Sequence, residues 1–348
     1  MARICFFARV ASPQVLQRNG FYAQDIRALR ELGHEVVVAS RIRELRPADL
    51  YYVWWWSWAF APAALARLMR KPVVVGGVLE GRPFDARPAA HRWLIRHTLA
   101  SADANVFVSR RELERFGGRL PIRNARYLPL TVDTQHFRPG EAERDPDLVF
   151  TVSWTEAANS RRKCLPELIR SAARVCAARP ATRFVIAGEH TAHYPTLRRL
   201  ADETGFGDRI EFPGAITFEE KVALMQRCGV YLQPTRHEGF GLAIVEAMSC
   251  GAPVVTSPAG EVPAVVGDAA VMVDGTRPEQ IAEATLRLLD DPGLRADLGR
   301  RARARVVDRF SFARRRDGIG AVIEQVLEAR RATGAVHATA QPAAAGHG

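Results

Sequence analysis

Short apolar runs alternate with amphipathic helical stretches along almost the whole chain, and this alternation constrains the fold more than any other feature. Residues 4–7 read as a strand and 20–32 as a helix, with Phe21, Ile26, Leu29 and Leu32 at helical spacing. Gly33 stops that helix before a strand at 35–39, and further apolar runs follow at 50–54, 72–75, 105–108 and 126–128. A polar segment over 138–147, holding Pro and Gly, reads as a linker. The alternation then restarts, with strands at 148–153, 184–187, 210–212, 230–232, 253–256 and 271–273. Helices are expected between them at 166–178, 196–203, 218–227 and 242–250, and three more close the chain at 278–289, 294–308 and 312–331. Strands separated by helices imply a parallel sheet covered on both faces. The expected architecture is α/β: two consecutive Rossmann-like, doubly wound domains facing a central cleft.

The length of 348 residues gives each half enough chain for its own core. The expected division is an N-terminal domain over 1–140, a linker over 141–147 and a C-terminal domain over 148–310, then a helix over 311–331 and a disordered tail over 332–348. Cys5, Cys164, Cys176, Cys228 and Cys250 are an odd, scattered set without metal-ligand spacing, which argues for reduced thiols and a cytoplasmic location. The N-terminus lacks a signal peptide's long apolar region. The longest uncharged run, 50–66, contains Pro62 and reads better as a strand followed by a helix than as a membrane span.

Charge is unevenly spread. Residues 1–140 hold 22 Lys and Arg against 11 Asp and Glu, whereas the remainder is balanced at 27 each. One domain therefore meets something anionic, either an acceptor or an anionic membrane surface. The positive charge is spread over a sheet domain with no recognised nucleic-acid module, so a nucleic-acid partner is not expected. Lys71, Lys163 and Lys221 are the only lysines in an Arg-biased chain.

The stretch from Gln233 to Val255 carries the most chemical information. A buried strand ends at Leu232 and a helix begins near Gly241 and Leu242. Gly239 and Gly241 permit a close turn that leaves the first helical N–H groups uncovered, which suits a phosphate. Glu246, about one turn into the helix, is placed to accept two hydrogen bonds from a ribose diol. Glu238, on the loop before the turn, is placed to hold sugar hydroxyls. Two acids beside a phosphate site make sense when they bind hydroxyls, so the ligand suggested is a nucleotide attached to a sugar. A dinucleotide fingerprint does not fit, since Ile244 occupies the third glycine position.

Glu238 and Glu246, eight residues apart, resemble the paired glutamates of the retaining glycosyltransferases of family 4, which have the GT-B fold. Supporting pieces run in order along the chain: Gly33 to Val36, Ala102 to Ala104, Val132 to Thr134, Phe212 to Ala215, Gly260 to Pro263, and Phe310 to Phe312. The resemblance implies a nucleotide-diphosphate sugar donor, bound mostly by the second domain, and transfer with retained anomeric configuration. It also implies a last helix that crosses back to the first domain. Glu246 would hold the donor ribose and Glu238 the transferred sugar, with Gly239, Phe240, Gly241 and Leu242 near the sugar and phosphates. Lys163 matches the family's lysine on the diphosphate, where a cation stabilises the departing charge.

Three positions depart from the family pattern. Where an earlier arginine usually stands the chain has Ser153, Trp154 and Thr155, leaving Arg161 or Arg162 as the substitute. Cys164 replaces the usual glycine after Lys163. The histidine often found after the fourth strand is missing from the stretch Val75 to Glu80. Asn19 and Gly20 are the best match for the loop that approaches the donor phosphates.

The expected function is therefore a retaining, metal-independent glycosyltransferase that needs no cofactor beyond its nucleotide-sugar co-substrate. Glu238, Lys163 and Arg162 would act catalytically. Glycolipid, polysaccharide or other glycoconjugate synthesis follows, with a sugar-bearing, lipid-linked or anionic acceptor and a peripheral site at the inner face of the membrane. The alternatives are a non-catalytic nucleotide-sugar-binding subunit and a GT-B phosphorylase or epimerase. Trp54, Trp55, Trp56 and Trp58 are four of the chain's six tryptophans. Core packing, sugar stacking and membrane anchoring all suit them, and Trp55, Trp56 and Glu80 are the candidate acceptor residues. Asp145 and Asp147 spell an acid pair used for metal in another glycosyltransferase fold, but they lie in the expected linker. His91 and His97 read as structural or surface residues.

Overall fold

The computed structural model describes residues 1–18, 20–79 and 84–339. Asn19 and Glu80, two of the candidate site residues, lie outside the described residues, as do 340–348 of the expected tail. The chain forms two compact units, Met1–Leu130 with Ala313–Gly348, and Thr131–Phe312.

The first unit is built on six parallel strands: β1 (Arg3–Phe7), β2 (Glu35–Ala39), β3 (Leu50–Trp54), β4 (Val73–Gly77), β5 (Ala104–Phe107) and β6 (Ala125–Tyr127). They lie in the order β2-β1-β3-β4-β5-β6. β3 and β4 are buried at every position, as expected of apolar runs covered on both faces. A core forms around Cys5, Phe7, Tyr51, Val53, Val75 and Phe107.

Beneath the sheet Asp25 is fully buried and surrounded by donors. The Tyr52 hydroxyl donates to it at 3.1 Å and the Trp54 indole at 3.0 Å. Both Nε and Nη2 of Arg315 complete the set, Nη2 at 2.9 Å. Arg315 lies on the helix Phe312–Thr339, and its Nη1 donates to the carbonyls of Leu128 at 2.8 Å and Pro129 at 2.7 Å. One guanidinium thus ties the last helix to the first unit. That helix continues to Thr339, past the expected stop at 331. Alanine is the strongest helix former, and the alanines of this segment, beginning with Ala332 after Arg331, let the helix run on.

The second unit holds β7 (Asp145–Val152), β8 (Arg183–Ala187), β9 (Ile210–Glu211), β10 (Cys228–Gln233), β11 (Val254–Thr256) and β12 (Val271–Met272). All neighbours pair in parallel, in the order β12-β11-β10-β7-β8-β9. The order reverses between β10 and β7, and ligands of open α/β sheets bind at the carboxyl end of such a reversal.

The expected boundaries at 140 and 148 need correction. Residues 131–147 belong to the second unit, and β7 begins at Asp145 inside the supposed linker. Polar side chains misled the reading because they have partners within the unit. Arg144 donates to the carbonyls of Met225 at 2.9 Å, Cys228 at 3.0 Å and Cys250. Arg303 donates to the carbonyls of Phe137 at 2.8 Å and Thr134 at 3.0 Å. Asp145 and Asp147, considered above for metal, pair with Arg183 at 3.0 Å and Arg179 at 2.8 Å. All five cysteines are buried free thiols. No helix of the described residues is long and apolar enough to cross a membrane.

Candidate functional site

The two loops that leave β7 and β10 at the sheet reversal carry most of the expected site. After β7 the chain forms a short helix, Ala157–Arg162, whose amides at Ala158 and Asn159 are capped by the Glu156 carboxylate at 3.1 and 3.0 Å. Lys163 ends this helix and Cys164 follows in the left-handed region at φ 50°, where the family pattern has glycine. The two loops are knitted together through the Arg162 carbonyl. It accepts from the Arg236 amide at 2.8 Å and from the Thr235 hydroxyl at 3.1 Å.

Side chains cross the same gap. Arg162 Nη1 donates to Glu238 Oε2 at 3.0 Å and to the His237 carbonyl at 3.1 Å, while Nη2 donates to Asn159 Oδ1 at 2.7 Å. Of the two substitutes offered for the missing arginine, Arg162 is the one joined to Glu238; Arg161 is exposed. Lys163 reaches back to the Val152 carbonyl at 3.4 Å. Burial lowers its pKa from the ordinary lysine value, and the charges of Glu238 and Glu246 oppose that shift. A partly buried cation near two carboxylates gains from a nearby anion.

Gly241 precedes the helix Leu242–Ser249 at φ 93° and has no side chain to cap its first amides. That helix places Glu246 one turn in, 9% exposed. Burial raises the Glu246 pKa, with the Lys221 ammonium as the largest opposing influence. Lys221 Nζ donates to Glu246 Oε2 at 2.9 Å and lies 5.0 and 5.5 Å from the ring centroids of Phe137 and Phe218. The sequence reading passed over this lysine as a site residue. Its rarity in an Arg-biased chain was the available signal. The Glu238 carbonyl accepts from the Glu261 amide at 3.1 Å, and a Cβ on Gly260 would lie 2.0 Å from the same oxygen, so that loop sits tightly against Glu238.

Two expected contacts change character. The Phe240 ring is buried against Phe310 at 5.5 Å, which leaves only its backbone for a ligand. Trp56 is 1% exposed, donates its indole hydrogen to Asn105 Oδ1 at 2.7 Å and packs on Phe107, so it is chiefly a core residue. Leu242 and Gly239 are partly exposed at the turn. Gly20 opens the helix Gly20–Glu31 of the first unit, where its carbonyl accepts from Gln24 at 3.2 Å. Of the two histidines, His97 stacks on Trp93 at 5.4 Å.

A profile of the glycosyl transferases group 1 matches residues 135–305. A GDP-mannose-dependent monoacylated alpha-(1-6)-phosphatidylinositol monomannoside mannosyltransferase of Corynebacterium glutamicum is 29% identical over 238 residues, 64% of this chain and 62% of its own. A D-inositol 3-phosphate glycosyltransferase of Acidothermus cellulolyticus is 32% identical over 67% of this chain and 55% of its own. A GDP-mannose-dependent alpha-(1-6)-phosphatidylinositol monomannoside mannosyltransferase of Mycolicibacterium smegmatis is 30% identical over 85% of this chain and 81% of its own. The match thus spans less than two thirds of the first two relatives and most of the third. Among solved structures, sucrose-phosphate synthase of Thermosynechococcus elongatus superimposes with a TM-score of 0.77 at 18% identity, covering 94% of this chain and all of its own. Anabaena HepE in complex with UDP gives 0.77 at 16% identity, covering 93% and 100%. These two share the fold.

Proposed function

Because this chain belongs to the glycosyl transferases group 1, the family 4 glycosyltransferases of GT-B fold, we propose that it transfers a sugar from a nucleoside diphosphate sugar to a hydroxyl acceptor with retention of anomeric configuration. The observation that carries this reading is the convergence of Arg162, Lys163, Glu238, Glu246 and an uncapped helix start at the reversal of the second sheet. The amides before Leu242–Ser249 and the Lys163 ammonium suit the diphosphate, Glu246 the ribose diol, and Glu238 the hydroxyls of the transferred sugar. Arg162, already bonded to Glu238, orients that carboxylate and adds positive charge.

In the proposed step the bond from the anomeric carbon to the diphosphate oxygen breaks as the acceptor oxygen attacks from the same face. The departing oxygen takes the acceptor's proton. Negative charge grows on the diphosphate, where fixed cations and helix amides stabilise it more than they stabilise the ground state. Those groups are the chain's own, so the reading includes transfer without a metal ion. GDP-mannose is the first donor to test, since two of the relatives are named for it. A lipid-linked acceptor would bring the protein to a membrane surface as a peripheral enzyme.

Thermal-shift screening against nucleotide sugars tests the donor. A cognate donor at a hundred times its Kd stabilises the fold by about 2.7 kcal/mol, and no shift with any donor rejects the reading. NMR of the product tests the stereochemistry, with an inverted centre contradicting retention. Binding without transfer or donor hydrolysis would make the chain a nucleotide-sugar-binding subunit instead.

A further inference from the structure

Away from the loops that follow β7 and β10, the second unit has a cavity of about 710 Å3. One wall is a face of the helix Pro292–Arg309 that carries Arg295, Arg300 and Arg303. The other is formed by chain that leads into β7 and β11, with Arg144 and Gly251. Both strands run away from it in parallel, so the cavity lies at the amino edge of the sheet. Lys163 and Glu238 belong to the opposite, carboxyl edge.

Four arginines meet in this lining, and three of them have no carboxylate in bonding range among the described residues. Arg144 donates to the Cys228 carbonyl at 3.0 Å and to that of Cys250. Arg303 donates to the Ser249 carbonyl at 3.0 Å, and Arg295 to the carbonyls of Leu288, at 2.7 Å, and Leu289. All three are partly buried. Burial is the largest influence on each and lowers its pKa, while Asp291, Asp147 and Asp290 act on Arg295 only from beyond bonding range. Arg179 and Arg236 show the contrary case, because bonded carboxylates raise theirs. The fourth, Arg300, is exposed and pairs with Asp297 at 3.1 Å. Glu143, also exposed, is the one carboxylate in the lining. Positive charge thus gathers here although the unit holds 23 Lys and Arg against 25 Asp and Glu. Carbonyl partners hold a guanidinium in place but leave its charge uncompensated, and an anion supplies what they lack.

The cations stand in two groups. Arg144 and Arg303 converge on the carbonyls of Cys250 and Ser249, at the end of the helix Leu242–Ser249. Arg295 lies eight residues before Arg303 on its own helix, about 12 Å along the axis. Between them the helix offers only Ala296 and Gly299 to the cavity, which leaves width for a ligand. We propose that this cavity binds a small organic bisphosphate, one phosphate on Arg144 and Arg303 and the other on Arg295, with the carbon skeleton over Ala296 and Gly299. A single phosphate meets one group of cations and leaves the other bare. The volume is that of a small-molecule site rather than a protein interface. This site shares no residue with the donor site proposed above and does not rest on it.

Isothermal titration calorimetry of the full chain tests the proposal. The probes are glucose 1,6-bisphosphate and fructose 1,6-bisphosphate, glucose 6-phosphate and fructose 6-phosphate, inorganic phosphate, and a hexaglutamate peptide. At least one bisphosphate is expected to bind about tenfold or more tightly than its monophosphate. Arg295→Gln is expected to shrink that preference below about twofold, and Arg295→Lys, which keeps the charge, to retain most of it. Ala296 is exposed, so Ala296→Trp fills the cavity from the helix surface without removing a cation, and it is expected to abolish binding of both sugar phosphates. An unchanged unfolding temperature in that variant shows that the loss is local. The proposal is overturned if no bisphosphate binds, if inorganic phosphate binds as tightly, or if Ala296→Trp leaves binding intact. Tighter binding of hexaglutamate than of either bisphosphate also overturns it and makes the groove a docking surface for an acidic peptide. Loss of binding in Lys163→Met but not in Ala296→Trp moves the ligand to the other edge of the sheet and has the same effect. A nucleotide thermal shift without bisphosphate binding removes this proposal and keeps the donor reading. Bisphosphate binding without a nucleotide shift does the opposite.

Discussion

A desolvated ammonium loses its proton more readily than a free one, and the partly buried Lys163 is placed in that condition. A diphosphate beside it favours the charged form, so binding takes up a proton wherever Lys163 is partly neutral. The affinity for GDP or UDP is therefore expected to hold from about pH 7, where the terminal phosphate is already ionised, and to weaken as pH rises through the lowered lysine pKa. Calorimetry in buffers of different ionisation enthalpy measures the uptake. Lys163→Met is expected to abolish it and to cost about 1.5–3 kcal/mol of binding, and unchanged uptake in that variant removes Lys163 from the diphosphate. Glu246 has the opposite sign. Its folded pKa is raised above the ordinary value of 4.5, so its contribution to stability is intact below that value and is lost as pH rises through the folded pKa. Lys221 limits that loss. In Lys221→Met the carboxylate keeps its burial without its cation, and about 2–3 kcal/mol of stability is expected to go, more at about pH 8 than at about pH 5. Adding Glu246→Gln is expected to restore most of it, as denaturation at both pH values would show; additive losses would mean that the two residues do not act as a pair. Glu238 and Glu246 were legible in the sequence because their spacing fits one loop and one helical turn. Their partners were not. Arg162 lies 76 residues from Glu238 and Lys221 lies 25 from Glu246, and only the fold brings such pairs together.

Whole elements were read well where burial decides them and poorly where charge does. β2 and β3, and the helix Phe218–Arg227, lie where apolar spacing places them. The helix Ala157–Arg162 was missed: it is short, polar and held by a Glu156 cap and by contacts to another loop. The supposed linker failed for a related reason, since its carboxylates and Arg144 find partners inside the second unit. The last helix shows what such pairing can do for topology. Arg315 and Asp25 are both fully buried, so removing either leaves a charge in the sheet's underside without its counterion. Arg315→Met is expected to destabilise the first unit by about 3–5 kcal/mol. Because the Trp54 indole donates to the same carboxylate, its fluorescence during guanidinium unfolding reports the loss. The double variant Asp25→Leu, Arg315→Met is expected to recover much of it, since an apolar pair of similar volume needs no counterion. A double variant weaker than either single one would show that Arg315 acts mainly through the Leu128 and Pro129 carbonyls.

At the scale of the molecule the excess charge is more unequal than the sequence division at 140 suggested. Bringing Ala313–Gly348 into the first unit, and moving 131–140 out of it, leaves that unit at 26 Lys and Arg against 13 Asp and Glu. The second unit has 23 against 25. An anionic donor at the second unit and an anionic acceptor at the first would thus meet different long-range fields. Under the proposed transfer the donor would rely on short-range contacts in a nearly neutral unit, whereas an anionic acceptor approaching the first unit would be attracted from a distance. Salt separates these contributions, because the Debye length shrinks from about 30 Å at 0.01 M to about 8 Å at 0.15 M. Over that range kcat/KM for an anionic acceptor is expected to fall by about tenfold, while the donor KM changes by less than about twofold. Initial rates with each substrate varied at saturating levels of the other give both slopes. Equal salt dependence for donor and acceptor would mean that the charge of the first unit serves something other than the acceptor. Binding to anionic vesicles by the same face would then be the remaining use for it, and flotation at both salt concentrations would reveal it.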